Sequence, residues 1–107
     1  MQGQQLLRSI YADDKAIAGI LPVFLGNIPK YTGNLVSAIK EQNWSAAART
    51  CHDLKGTAGG YGYPEITLAT ARLEAELKGG QDSEVIRERL QDVLSLCDRA
   101  SLALGSV

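Results

Sequence analysis

Residues 43–64, NWSAAARTCHDLKGTAGGYGYP, read as one helix whose start and stop are both written into the chain. Asn43 is an N-cap residue, its side chain suited to accept from the free amides of the first turn. Ala46, Ala47 and Ala48 then favour helix, and the apolar stripe Ala47, Cys51, Leu54, Ala58 and Tyr61 recurs at three- and four-residue steps. The helix must end around Gly62-Tyr63, because Pro64 cannot continue it. Within it stand the only histidine of the chain, His52, and the glycines Gly56, Gly59, Gly60 and Gly62. Each glycine inside a helix costs about 1 kcal/mol against alanine, so this segment gives up stability that some other requirement has to explain.

Working outward, Ile17, Leu21, Phe24, Ile28, Tyr31, Leu35 and Ile39 form the stripe of a preceding helix that runs to about Gln42. Pro22 and Pro29 fall inside that pattern and predict a kink or break near Gly26-Asn27. Residues 1–15 have weak periodicity and are expected to be a loose or short-helical lead-in. After residue 63, Pro64 suits the first turn of a third helix with Ile66, Ala69, Leu73 and Leu77 on one face; Lys78 sits in its last turn and Gly79-Gly80 ends it. Asp82 or Ser83 caps a fourth helix with the stripe Ile86, Leu90, Val93, Cys97, Ala100 and Leu104. The expectation is an all-α, antiparallel up-down-up-down four-helix bundle over about 16–105, in a single domain spanning residues 1–107.

Composition narrows the function. Apolar residues make up 45% and charged residues 21% of the 107, which fits one soluble globular domain. A formal charge of -1 offers no basic footprint for nucleic acid or an anionic membrane surface. The chain shows neither a secretory leader nor an apolar run long enough to span a bilayer, so a cytoplasmic location is expected. Cys51 and Cys97 lie on apolar stripes and read as reduced core thiols, and the sequon Asn43-Trp44-Ser45 reads as a chance match. Four internally buried stripes need no dimer, so a monomer is expected.

His52 lies one residue off the buried stripe, a rotation of about 100°, which places it on the flank of the bundle. Ala48, Lys55, Gly56 and Gly59 share its face. Small residues there leave bare ground on which another protein can set an active site, and Lys55 supplies an ammonium suited to a phosphoryl group. Rival readings lack parts. A metal or haem centre has one histidine and Cys51 directed elsewhere, so no metal is expected; a Cys-His hydrolase would need neighbours on a helix to face each other. A phosphate loop needs Gly-Lys-Ser/Thr after a strand, and Lys55-Gly56-Thr57 has neither the order nor the strand.

The run His52-Asp53-Leu54-Lys55-Gly56-Thr57-Ala58, with Gly62 ten positions after the histidine, resembles the signature of histidine-containing phosphotransfer (HPt) domains of bacterial phosphorelays. The likeness extends to the Pro-containing first helix, the Asn43-Trp44 start of the histidine helix and the Leu73-Glu74 pair on the next. It implies that His52 is the phosphoacceptor, Lys55 the phosphoryl-stabilising cation, and Gly56 the gap that admits the partner. Gly62 would close the helix, and Glu74 would orient the imidazole by accepting from one ring nitrogen. The sequence departs from the usual pattern at Cys51, where alanine is common, and in the extra glycines Gly59 and Gly60.

The implied partners are response-regulator receiver domains and a hybrid sensor kinase, with the Mg2+ ion held by the receiver and no cofactor in this chain. The implied protein is a phosphoryl carrier, not an enzyme in its own right. A hydrophobic patch beside His52, drawn from Ile17 and Leu21, is the expected receiver dock. The competing reading is an HPt-like module that binds a receiver or kinase without passing phosphate.

Overall fold

The computed structural model describes residues 5–105, in which five helices and no strand occur: α1 Lys15–Ala18, α2 Leu21–Lys40, α3 Trp44–Gly60, α4 Pro64–Lys78 and α5 Ser83–Gly105. The first four residues of the expected lead-in lie outside the described part. Helix α2 packs on α3 and α5, and α4 packs on the same two, so the long helices enclose one core. Phe24, Leu35, Leu54, Ile66, Leu73, Leu77, Ile86 and Val93 are fully buried there. Each such side chain contributes about 1.5–3 kcal/mol relative to exposure, which outweighs the glycines of α3. Leu104, expected on the α5 stripe, is instead 40% exposed in the last turn of α5, at a groove bordered by the lead-in and the start of α2.

Several ends are made as the sequence dictates. Asn43 accepts from the Ala46 amide at 3.1 Å, Pro64 opens α4, and the Asp82 carboxylate accepts from Glu84 and Val85 at the start of α5. At the end of α3, the Tyr63 amide donates to the Ala58 carbonyl and the Gly62 amide to that of Gly59. This paired closure requires a left-handed residue between them, and Gly62 supplies it at φ 84°. The lead-in straps over this turn: the Ile10 amide donates to the Gly62 carbonyl, and the Ser9 hydroxyl to that of Tyr61. Phe24 stacks on Tyr61 with ring centroids 5.1 Å apart, tying the start of α2 to the same place.

The first long helix differs from expectation at two points. It begins at Leu21, after the separate turn α1 capped by Asp14, instead of at Ile17. It also runs unbroken through Gly26-Asn27. Pro22 lies in its first turn, where no amide is missed, leaving Pro29 as the sole interior proline. One lost hydrogen bond at Pro29 is offset by burial of Phe24, Leu25, Ile28, Leu35 and Ala38 along the helix.

Candidate functional site

The His52 side chain is 71% exposed and stands on α3 between two surface grooves. One lies toward α2 and is lined by Asn27, Lys30, Tyr31, Asn34, Gly56 and Thr57 among others. The second lies toward α4 and includes Trp44, Ala48, Arg49 and Lys78. His52 borders both. The wall on the α2 side is fastened by the contact of Tyr31 Oη with Thr57 Oγ1 at 3.4 Å.

Beneath the imidazole lies Glu74, a buried carboxylate on α4. Its Oε1 accepts from Lys55 Nζ at 2.7 Å, while its Oε2 lies 3.0 Å from Lys78 Nζ and 3.7 Å from His52 Nδ1. The hydrogen bond donated by Lys55 holds the Glu74 carboxyl below the ordinary carboxylate value, with Lys78 acting the same way and burial opposing both. Glu74 is therefore an anion at neutral pH, and the two ammonium groups on its oxygens offset the cost of burying that charge. Its separation from His52 is longer than a hydrogen bond but short enough to act on charge developing in the ring.

The glycines divide by task. A Cβ on Gly56 would meet nothing within 4 Å, and this residue lines the α2-side groove beside His52. Gly59 is exposed on the same flank but lines neither groove, and a Cβ there would stand 3.4 Å from Thr67 Oγ1, an ordinary contact; that hydroxyl donates to the Lys55 carbonyl at 3.2 Å. Ala48 departs from the flank reading. It is buried, because the α3–α4 contact extends over that edge of the helix.

The expected docking patch is overturned as well. Leu21 is buried, and its surroundings include Leu6, Leu7, Tyr63 and Leu104 at the far end of α2. Ile17 belongs to α1, before that end. Neither Leu21 nor Ile17 lines a groove beside His52, and the α2 residues that do, Asn27, Lys30, Tyr31 and Asn34, carry polar groups. In the sequence, Asn27, Lys30 and Asn34 are signalled only by their three- and four-residue spacing and Arg49 only by its place three residues before His52; the position of Lys78 four residues after Glu74 marks an ion pair as well as an end-of-helix charge.

A family model described as the Hpt domain matches residues 19–102. The chain belongs to the Hpt domain family. No curated protein and no solved structure matches it. Hpt domains are helical bundles that act as phosphotransfer modules in phosphorelays, as phosphocarriers and not catalysts, and they interact with response-regulator receiver domains. Among the described residues, no helix is long and apolar enough to cross a membrane.

Proposed function

We infer that His52 accepts a phosphoryl group from the aspartyl phosphate of a receiver and passes it to another receiver. The observation that carries this reading is an imidazole 71% exposed, with one nitrogen turned to a buried carboxylate and bare ground at Gly56 beside it. The four long helices run up, down, up and down in this reading, since loops of three or four residues leave the chain no other way back. That order sets α2 and α4 on either side of the histidine helix.

Nε2 of the neutral imidazole attacks phosphorus in line with the departing carboxylate oxygen. The N–P bond forms, the O–P bond breaks, and its electron pair leaves with the aspartate. The ring becomes positively charged with its proton on Nδ1, and Glu74 stabilises that charge through Oε2. Lys55 offers an ammonium to the phosphoryl oxygens. Transfer depends on positioning and charge stabilisation, and the Mg2+ and remaining polar groups come from the receiver. The receiver docks over the α2-side groove, where Asn27, Lys30, Tyr31 and Asn34 offer hydrogen bonds.

Incubation with a radiolabelled, phosphorylated receiver tests the reading. Acid-labile label is expected on the wild-type chain and absent from His52→Gln. Label kept by that variant would refute the assignment, and receiver binding with no label on either protein would favour a module that binds without transferring.

A further inference from the structure

Lys78 lies outside the motif around His52, one turn beyond Glu74 on α4. Its ammonium is 3.0 Å from Glu74 Oε2, the oxygen that also faces His52 Nδ1 at 3.7 Å. Lys55 takes the opposite oxygen, Oε1. One carboxylate therefore holds two cations, and only one is needed to neutralise it. The two lysines differ in freedom. The Lys78 side chain is 63% exposed and lines the α4-side groove together with His52 and Arg49, whereas that of Lys55 is 33% exposed and its backbone carbonyl is held by Thr67.

We propose that Lys78 is a second phosphoryl-binding cation, which on phosphorylation of His52 turns from Glu74 Oε2 to donate to a phosphoryl oxygen. The proposal rests on the reading of His52 as phosphoacceptor. The incoming group brings about two negative charges to a site that holds one carboxylate. Lys55 has three N–H donors, enough to keep Glu74 Oε1 while also meeting a phosphoryl oxygen, so no buried charge is orphaned when Lys78 departs. A lysine is suited to the movement, being a compact charge on a flexible stem that swings without shifting the helix. Its approach is from α4, opposite the groove that Gly56 lines, so it does not compete with a receiver entering over α2.

The test uses the whole chain phosphorylated with phosphoramidate, a small donor that requires no partner protein, and follows the phosphohistidine by phosphorus NMR through a pH titration. Lys78→Ala is expected to raise the second ionisation of the phosphoryl group by about 0.5 pH unit, the size expected of a partly exposed charge contact. Lys78→Arg should restore the wild-type titration and Lys78→Gln should not; about 1 M salt should shrink the difference. A lysine that merely braces α4 would alter unfolding and leave this ionisation where it was. A phosphohistidine signal that titrates identically in wild type and Lys78→Ala overturns this inference alone. No phosphohistidine in the wild type, or a signal that survives His52→Gln, overturns the phosphoacceptor reading beneath it.

Discussion

Gly56 can be replaced so that stability and transfer move in opposite directions. It stands within the 17 residues of α3, with no atom inside 4 Å of where a Cβ would be. Gly56→Ala should therefore gain the helix-propensity difference, about 1 kcal/mol, without meeting a clash. For a chain of this size that is a rise of about 4 °C in Tm, measurable by circular dichroism. A leucine at the same place would stand on the ground reserved for the partner. Gly56→Leu is expected to keep the fold, to be labelled normally by phosphoramidate, and to slow uptake from a phosphorylated receiver at least about tenfold, since small errors of placement are costly in transfer. Gly60→Ala is the control, because that position is also open yet lines neither groove beside His52. It should leave transfer unchanged. Wild-type uptake by Gly56→Leu would refute the access argument, and equal loss with the small donor would trace the effect to a distorted histidine instead.

Gly62→Ala should destabilise the fold by about 2–3 kcal/mol in urea unfolding, because a left-handed φ is combined with a Cβ only 2.6 Å from both Ser9 Oγ and Tyr11 Cδ2; a loss below about 0.5 kcal/mol would show that the strap yields freely. Glu74→Gln should cost about 1–3 kcal/mol at neutral pH by leaving two ammonium groups without their anion. A carboxyl held below its ordinary 4.5 contributes fully above that pH and loses its contribution as pH falls past it, so wild type and Glu74→Gln should converge in stability under acid; a constant gap through the acid range would contradict the ion-pair account. Burial pushes the thiols of Cys51 and Cys97 up to about 12. Their contribution is complete below the ordinary value of 9.0 and is lost as pH rises toward 12, so stability should fall in alkali, and a thiol reagent near about pH 8 should react no faster than the chain opens. Rapid labelling of the folded chain would count against buried thiols.

Local signals determined much of this protein. Asn43, Gly62, Pro64 and Asp82 each act within a few residues along the chain, so both ends of α3 and the starts of α4 and α5 could be read from the sequence. The position of His52, one residue off a buried stripe, likewise follows from helix geometry alone. The break expected from Pro29 did not occur, because the burial that offsets a missing hydrogen bond comes from residues of other helices. Tertiary packing alone decided that Ala48 is covered and that the wall beside His52 is polar. It also brought Lys55 of α3 to Oε1 of the buried Glu74 carboxylate, whose Oε2 already meets Lys78 four residues along the same helix. Charge pairing between helices depends on their rotation and spacing, and those are set by how whole side-chain surfaces fit together, which no short stretch of sequence carries.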